Sequence, residues 1–486
     1  MIGSRRVSWI LYLLDPDRPW KPEWGGALRL YPTKDLQTPE GDVVKVPQPD
    51  FTVSIPPAWN QLSFFTVQPG ESFHDVEEVY RRGVDESGDE DGGRIRMAIS
   101  GWFHIPQEGE DGYEAGLEEK LAERSSLAQL QGGKADIFDE PQSHWVENPH
   151  WEAQAKAQDE EMTADEIDFL IKYMNPNYLT PDTVEELTHL FSDESSVRLA
   201  DFLSPKFCVR LREYLEAKDH EPHPNLPANP FYKSQSEVGV ARPPHKHRFL
   251  YRKAVQPIQT SYPDTASLTP YDDLVDVLFP HPAFTKWLSL VTGITLTKSN
   301  ILARRFRRGM DYTLATAYEE EDPQLEVCLG ITPSKGWGDE DEEVDDAPHN
   351  KHQNGSPVSS ATTSPNGNRP APSKPEEEIG GYEMYMAGED DDTNTDAGAP
   401  EPSTATGAGQ RRRAKADPAV YKSAGEDEDD GILFSQPAAW NNLAIVLRDR
   451  GVLRFTKYVS RGARGDRWDI CGEYGVEFGE DEEDEE

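Results

Sequence analysis

Short apolar runs, separated by prolines, glycines and polar stretches, fill the first hundred residues. Residues 8–14 alternate between two faces, as a strand does, and Tyr12 lies on the more apolar face. Residues 33–50 are polar and indicate a loop. Further strand-like runs lie at residues 27–31, 62–67 and 95–103. The pattern predicts an all-β sandwich in this part of the chain.

The middle of the chain has a helical period instead. Thr163 followed by Glu166 has the sequence of a capping box, and Pro181 marks a second helix start. Helical patterns also cover residues 118–130 and 271–291, and residues 191–215 contain a further amphipathic helix. We therefore expect a chain that is mainly β with flanking helices.

The C-terminal half repeats motifs of the first region in the same order. The repeats pair residues 25–31 with 380–386, residues 56–62 with 436–443, and residues 96–101 with 467–472. They predict a duplicated β domain. Where His74 would recur, the second copy reads Arg454-Phe455-Thr456-Lys457, so we expect the second copy to lack the iron-binding function of that histidine.

Composition and charge indicate where the domains, the polar inserts and the acidic tail of the chain lie. Of its 486 residues 36% are hydrophobic, and the net charge of −41 is concentrated in acidic runs. Such runs stay solvated and argue against direct nucleic-acid binding, whereas they suit a basic protein partner. Polar, acidic inserts are expected at about 338–378 and 389–430. The predicted domains are 1–110, a helical linker at 111–200, a second β domain at 201–478, and an acidic tail at 479–486.

The cysteines and the lack of long apolar segments indicate the cellular compartment of the protein. The three cysteines, far apart in sequence, form no disulfide or zinc pattern, and this fits a reducing compartment. No apolar run is long enough to span a membrane, so no membrane association is expected. The Met1–Leu14 segment resembles a signal peptide only superficially, because Asp15 ends its short apolar part. The cluster Arg411–Arg413 is either a nuclear localisation patch or, as we favour, a solvated basic cluster.

Two residues stand where a catalytic site would be built. His74 follows the Pro69–Gly70 turn after one predicted strand, and Arg96 lies near the head of the next. A histidine and an arginine so placed have the layout of an iron and 2-oxoglutarate oxygenase on a jelly roll. There the histidine is the last ligand of a two-histidine, one-carboxylate triad, and the arginine holds the far carboxylate of 2-oxoglutarate. From the residues alone, a surface histidine and a solvated arginine remain the commoner interpretation.

Several sequence motifs also resemble those of a known protein family. Four segments closely resemble the ribosomal prolyl hydroxylase family of fungi and animals: WILYLLDPDRPWKPEWGGALRLYP, PPAWNQLSFF, SFHDVEEV and RMAISGWFH. The resemblance implies two double-stranded β-helix (jelly-roll) domains, of which the second is degenerate. It implies His74 as an iron ligand, Arg96 as the 2-oxoglutarate clamp, and Tyr12 as either a 2-oxoglutarate contact or an ordinary core tyrosine.

The resemblance also carries expectations about cofactors, partners and place of action. It implies Fe(2+), 2-oxoglutarate and ascorbate, and hydroxylation of a proline in a basic small-subunit ribosomal protein, with a role in translation control or termination. The alternative it leaves open is a non-enzymatic binding protein in oxygen-linked control of a transcription factor. Translation factors or a transcription-factor regulator are further expected partners, in the cytoplasm and nucleus.

One expected motif is missing. The family has His-x-Asp just before the segment that here begins at Ile2, and no His-x-Asp occurs in the sequence. His150-Trp151-Glu152 has the right spacing but follows the first domain, in the linker. As given, the chain has one iron ligand of three, so we expect this form to be inactive as an enzyme. We expect that it is N-terminally truncated, either because the gene model starts too late, which we favour, or because the product is a truncated, inactive form.

Overall fold

The computed structural model describes residues 5–39, 41, 43–68, 70–80, 95–122, 139–149, 151, 161–220, 239–243, 246–254, 268–318, 320–335, 337, 379–387 and 432–477. The acidic runs, the two polar inserts, the basic cluster at Arg411 and the acidic tail lie outside these residues. None of the helices in the described ranges is long and apolar enough to cross a membrane.

The first β unit contains two three-stranded antiparallel sheets, with the orders β6-β1-β8 and β5-β2-β7. Its strands are β1 (Arg5–Tyr12), β2 (Leu28–Leu30), β3 (Thr33–Gln37), β4 (Val43–Pro47), β5 (Val53–Ile55), β6 (Gln61–Thr66), β7 (His74–Val76) and β8 (Ala98–His104). The four predicted strands are confirmed, with their ends moved by one to three residues.

The prediction of a loop at residues 33–50 is wrong. These residues form an antiparallel hairpin of β3 and β4, in which Thr33 faces Pro47 and Gln37 faces Val43. The hairpin is a separate two-stranded sheet with much of its surface exposed. Strands with so much exposed surface are held by backbone hydrogen bonds and need few apolar residues at alternate positions. The sequence pattern that indicates a strand is therefore weak here.

Helices lie between and beside the two β units. They are α1 (Leu117–Ala122), α2 (Ala164–Leu170), α3 (Pro181–Glu194), α4 (Pro205–His220), α5 (Pro270–Asp273) and α6 (Pro282–Thr292), with a π-helical turn at Leu274–Leu278 and 3-10 turns at Pro22–Trp24 and Pro176–Leu179. The capping box is confirmed: the Glu166 N–H donates to Thr163 Oγ1 at 3.3 Å, and the Thr163 N–H donates to Glu166 Oε2 at 2.7 Å. The predicted start of α3 at Pro181 is also confirmed.

The second β unit is built around an eight-stranded sheet of order β10-β20-β17-β22-β14-β13-β11, in which β9 also pairs with β14. A four-stranded sheet, β16-β21-β18-β19, and the pair β12-β15 accompany it. The strands are β9 (Val146–Glu147), β10 (Ser196–Ala200), β11 (Gly239–Val240), β12 (His247–Arg248), β13 (Leu250–Lys253), β14 (Thr295–Phe306), β15 (Tyr312–Thr313), β16 (Thr316–Ala317), β17 (Gln324–Ile331), β18 (Glu383–Met386), β19 (Ile432–Gln436), β20 (Trp440–Arg448), β21 (Leu453–Thr456) and β22 (Arg467–Glu477).

The sequence repeat is a repeat of topology. The order β6-β1-β8 recurs as β20-β17-β22, and the order β5-β2-β7 recurs as β19-β18-β21. Local backbone geometry recurs too: Asn60 and Asn441 have φ values of 54° and 57°, and Gly25 and Gly380 both have a φ of 73°. The prediction of a mainly β chain with two jelly-roll units is confirmed, whereas the exact domain boundaries stay a prediction.

The main hydrophobic core lies on one face of the eight-stranded sheet. Along β17, Leu325, Val327 and Leu329 are fully buried and pack in one cluster with residues of α2 to α6. The alternate residues of the strand, among them Glu326 and Cys328, are buried on the opposite face, because side chains of a strand alternate between faces. That opposite face meets the four-stranded sheet, where Glu326 pairs with Tyr385 and Arg454.

The equivalent outer face of the first unit is largely open among the described residues. Leu62, Phe64 and Ile99 are 57%, 71% and 51% exposed. Their equivalents in the second unit, set by the matching registers, are fully buried under the helices: Leu443, Ile445 and Ile470. The two units therefore share strands but differ in what covers them.

Candidate active site

Tyr12 and Arg96 meet at the end of the β1-β8 ladder. Tyr12 is the last residue of β1, pairs with Ala98 and is fully buried. The half-buried Arg96 donates from Nη2 to the Tyr12 hydroxyl at 3.2 Å and from Nε to the Gly26 carbonyl at 2.9 Å. A guanidinium has five N–H donors, so three remain without a partner in the described part of the chain. This arrangement fits a carboxylate ligand.

His74 lies on a strand that follows the turn at Gly70. It is the first residue of β7 and pairs with Leu30 of β2. Its Nδ1 lies 2.9 Å from the Ser72 carbonyl oxygen. Because a carbonyl oxygen only accepts, Nδ1 carries the proton and Nε2 is the atom with a lone pair. An exposed histidine held in this tautomer by a backbone carbonyl has the form that metal ligands take.

The strand that carries His74 is fixed from its other face. Asp75 accepts two hydrogen bonds from Arg29, at 2.7 and 3.0 Å, and one from the Tyr31 hydroxyl at 2.6 Å. Burial raises the pKa of Tyr31, and the hydrogen bond to the Asp75 carboxylate raises that pKa further. Sequence reasoning missed this group, although Arg29 and Tyr31 alternate along a predicted strand as residues on one face must.

Three donors of the second unit hold Glu78, four residues beyond His74. Its carboxylate accepts from the Ser460 hydroxyl at 2.6 Å, the Tyr458 hydroxyl at 3.1 Å and the Arg461 N–H at 2.9 Å. Arg461 also lies over the ring of Tyr80, 4.4 Å from its centroid. The segment that continues from β7 is therefore docked against the second unit.

The described residues supply one ligand for iron. His74 belongs to no group of three His, Cys, Asp or Glu side chains that could hold a metal ion within the described ranges. The triad of an iron centre is therefore not assembled by these residues alone, and we derive no chemical step through a metal.

The second unit has an arginine where the first has His74. With Gly25 matched to Gly380, Leu30 corresponds to Tyr385, and the residue that faces Tyr385 is Arg454. Arg454 is held by two buried carboxylates, with 2.7 Å from its Nη2 to Glu383 Oε1 and 2.9 Å from its Nη1 to Glu326 Oε2. The prediction that the histidine is lost from the second copy is confirmed, and a guanidinium stands in its place.

A network of ion pairs surrounds Arg454. Arg304 donates to Glu383 at 2.9 Å and to Asp469 at 2.7 and 3.0 Å. Burial alone would raise the pKa of the Glu383 carboxyl, but the guanidinium groups of Arg454 and Arg304 hold that pKa well below its usual value. The network was missed from the sequence, although polar residues at alternate positions of QLEVCLGI indicate a second, polar buried face.

Two of the three cysteines meet beside this network. The Sγ atoms of Cys328 and Cys471 are 3.4 Å apart, and Asp469 completes the group of three potential ligands that lie within 4.8 Å of one another. The cysteines are 143 positions apart in sequence, so only the pairing of β17 with β22 brings them together.

The chain is similar to known oxygenases along nearly its whole length. Residues 165–482 match a family described as "Oxoglutarate and iron-dependent oxygenase degradation C-term", and residues 1–104 match the "2OG-Fe(II) oxygenase superfamily". The first match contains the second β unit except β9, and the second match contains Tyr12, His74 and Arg96.

Curated relatives carry related names. The prolyl 3,4-dihydroxylase OGFOD1 of Ostreococcus tauri is 27% identical over 98% of this chain and 74% of its own length. The prolyl 3-hydroxylase OGFOD1 of Mus musculus is 30% identical over 49% of this chain and 32% of its own length. The crystal structure of a Pseudomonas putida prolyl-4-hydroxylase covers 60% of this chain, and 99% of its own chain is matched, at 10% identity and a TM-score of 0.29.

Proposed function

The chain belongs to the family of 2-oxoglutarate- and iron-dependent oxygenases that resemble prolyl hydroxylases, and we propose that it hydroxylates a prolyl residue of a small-subunit ribosomal protein. The observation that carries the proposal is the pair of Tyr12 and Arg96, which presents unused donors within the oxygenase-like region. Iron and 2-oxoglutarate supply the oxidising chemistry when both are bound.

The residues of this chain have separate parts in the proposal. Arg96 binds the far carboxylate of 2-oxoglutarate, and the Tyr12 hydroxyl orients the guanidinium. His74 presents Nε2 to the metal, and Asp75 holds its strand against β2. Ascorbate sustains the activity.

The proposed partner is a basic ribosomal protein in the cytoplasm or nucleus. The protein would then act in translation control. The net charge of −41 supports such a partner, because opposite charge speeds and orients association.

The test is hydroxylation by the full-length protein with Fe(II), 2-oxoglutarate and ascorbate on purified small-subunit ribosomal proteins. We expect one added oxygen on a proline by mass spectrometry, with release of succinate. The variant His74→Ala should abolish both signals, and His189→Ala, an exposed histidine of α3, should abolish neither. Oxygen added only to another class of protein would contradict the ribosomal substrate.

A second candidate function is non-enzymatic binding in oxygen-linked control of a transcription factor, for which translation factors or a regulator are the partners. It is favoured by one observation: within the described ranges His74 has no companion ligands. Succinate release above a blank without protein would rule this candidate out as the sole function.

A further inference from the structure

Two thiols face each other across neighbouring strands inside the eight-stranded sheet of the second unit. Cys328 of β17 and Cys471 of β22 are directly opposite in the antiparallel register. Opposed residues of antiparallel strands have Cα atoms about 4.5 or 5.5 Å apart, and both separations lie within the range that a disulfide spans. The two Sγ atoms are already 3.4 Å apart, so a bond between them needs only a small approach of the sulfurs.

The repeated fold does not require sulfur at this place. The match of residues 96–101 with residues 467–472 makes Ser100 the equivalent of Cys471. In the first unit Ile10 lies opposite Ser100, as Cys328 lies opposite Cys471 in the second. An apolar residue and a small polar residue therefore suffice to form this part of the ladder, and the pair of thiols is a feature of the second unit.

Charged groups surround the two sulfurs. Arg454 Nη2 donates to Cys471 Sγ at 3.3 Å, and Arg304 Nη2 lies 4.0 Å from Cys328 Sγ. Asp469 Oδ1 lies 3.6 Å from Cys471 Sγ. Inert structural cysteines are buried among apolar groups, whereas reactive cysteines lie in electropositive surroundings. The surroundings of this pair are those of reactive thiols.

Burial limits which oxidant can reach the pair. Cys328 is 2% exposed and Cys471 is 4% exposed. The hydrogen bond with Cys471, and then burial, raises the pKa of the Cys328 thiol well above its usual value, so Cys328 is protonated at rest. Exchange with a bulky disulfide such as oxidised glutathione needs contact between its sulfur and an accessible thiol. Hydrogen peroxide is little larger than water and is the oxidant that fits.

We propose that Cys328 and Cys471 form a disulfide when the protein meets hydrogen peroxide, and that this bond cross-links β17 to β22. Peroxide transfers one oxygen to the first thiol, which becomes a sulfenic acid, and the other oxygen leaves as water. The sulfur of the second thiol then attacks the sulfenic sulfur and releases a second water. Two thiols and one peroxide thus give one disulfide and two waters. The site is separate from the hydroxylation site and does not depend on the proposed function.

The first test treats the folded full-length protein with hydrogen peroxide, removes the excess, and alkylates the unfolded chain. We expect two of the three cysteines to lose their free thiols, with the peptides of Cys328 and Cys471 joined and Cys208 alkylated, as read by mass spectrometry. Dithiothreitol added to the unfolded chain should restore all three thiols. The absence of a bond, a bond to Cys208, or oxidation to sulfinic or sulfonic acid alone overturns the proposal.

A parallel sample receives oxidised glutathione instead of peroxide. Because both thiols are buried, we expect the folded protein to keep them free. Glutathione attached to Cys328 or Cys471 would overturn the assignment of peroxide as the oxidant.

Matched variants test the cross-link itself. Peroxide should raise the melting temperature of the wild type, because the bond joins residues 143 positions apart and restricts the unfolded chain. The control Cys208→Ser removes a half-buried thiol of α4 and should show the same rise. Cys471→Ser introduces the residue that the first unit has at this place, and neither it nor Cys328→Ala should show a rise. A rise in either of these variants, or none in the wild type, overturns the cross-link.

Discussion

Arg96 and Arg467 occupy matching places in two copies of one unit, but their surroundings differ. Arg96 contacts a hydroxyl and a carbonyl and is half-buried. Arg467 is 2% exposed and lies 2.9 Å from Asp469 Oδ2 and 3.5 Å from Glu383 Oε2. One arginine keeps donors for a ligand, whereas the other neutralises carboxylates of the fold.

Replacement of the two arginines should therefore separate binding from stability. Arg467→Met removes one guanidinium partner from the buried carboxylates of Asp469 and Glu383, which keep Arg304, and we expect a loss of roughly 1.5–3 kcal/mol in the free energy of unfolding. Arg96→Met should instead weaken 2-oxoglutarate binding by about 1.5–3 kcal/mol, the range for hydrogen bonds to charged groups. Calorimetry with 2-oxoglutarate and denaturant unfolding measure the two effects.

Arg96→Lys is the matched control, because it keeps the charge but loses the two-pronged geometry. We expect it to bind 2-oxoglutarate with an affinity between those of the wild type and Arg96→Met. Equal losses of stability in both arginine variants, with 2-oxoglutarate affinity untouched, would show that Arg96 serves the fold alone.

Gly25 tests the backbone geometry that both copies share. Its φ of 73° is left-handed, and a Cβ at this residue would lie 2.0 Å from the Glu78 carbonyl oxygen. At Gly109 the φ is also left-handed, at 93°, but a Cβ would meet nothing within 4 Å. Gly109→Ala should cost about 1–2 kcal/mol from the backbone alone.

Gly25→Ala should destabilise the protein clearly more than Gly109→Ala, because it adds a clash with backbone to the same unfavourable φ. Thermal unfolding of the two variants gives the comparison. Equal losses would mean that the segment around Glu78 moves away easily and is not docked.

Sequence patterns predicted the role of a single residue only where that role is visible in a sequence motif. The capping box at Thr163 followed from adjacent residues, and the loss of the histidine in the second copy followed from matching repeated segments; both are confirmed. The contact of Cys328 with Cys471 and the anchoring of Asp75 depend on strand pairing over long distances, which no local pattern contains. The binding roles of His74, Arg96 and Tyr12 stay predictions.

At the scale of elements, strands with an apolar alternation were predicted and the polar hairpin β3–β4 was not. In the second unit the same rule has a further consequence. Strands such as β17 are buried on both faces, but one face is polar, so their sequence does not show which side the main core covers. The apolar face packs on helices, and the polar face builds the ion-pair network.

The N-terminal cap of helix α6 is a histidine, His281, so its hydrogen bond depends on pH. The Ala283 N–H donates to Nδ1 of His281 at 3.1 Å, and the ring of His281 stacks on Phe169 at 3.5 Å. Burial, and then the nearby charge of Lys172, lowers the pKa of His281 to about 4. Protonation of Nδ1 would remove the acceptor of the cap.

The folded state therefore binds fewer protons than the unfolded state between the folded pKa of about 4 and the ordinary value of 6.5. Stability from His281 is fully present above pH 6.5 and falls as the pH drops through this window. His281→Asn keeps a capping acceptor that does not titrate, and we expect it to reduce the acid-induced loss by about 1 kcal/mol, the usual size of a cap.

Urea unfolding at a series of pH values measures this effect. His189→Asn, at an exposed position of α3, is the control and should follow the wild-type pH curve. A pH curve for His281→Asn that matches the wild type would show that the cap does not titrate in this range.

At the scale of the molecule, Glu78 connects the two units. Its three donors all come from residues 458–461 of the second unit. Glu78→Ala leaves those donors without their acceptor, so we expect a loss of about 2 kcal/mol, typical of hydrogen bonds to a charged group. We also expect calorimetric unfolding to split into two transitions, because the units lose one of the contacts that join them.

Glu77→Ala is the control, because Glu77 accepts from Tyr80 within its own segment, at 3.0 Å. It should leave a single transition. A single transition in Glu78→Ala as well would show that other contacts suffice to couple the units.

Arg454 makes the second unit independent of the supply of metal. A metal ion can dissociate from its site. A domain that is stabilised by a bound metal therefore loses stability when the ion is scarce or a chelator is present. The guanidinium that pairs with Glu326 and Glu383 is part of the chain and cannot dissociate. In an iron-starved cell the second unit would therefore keep every ion pair that Arg454 makes inside it.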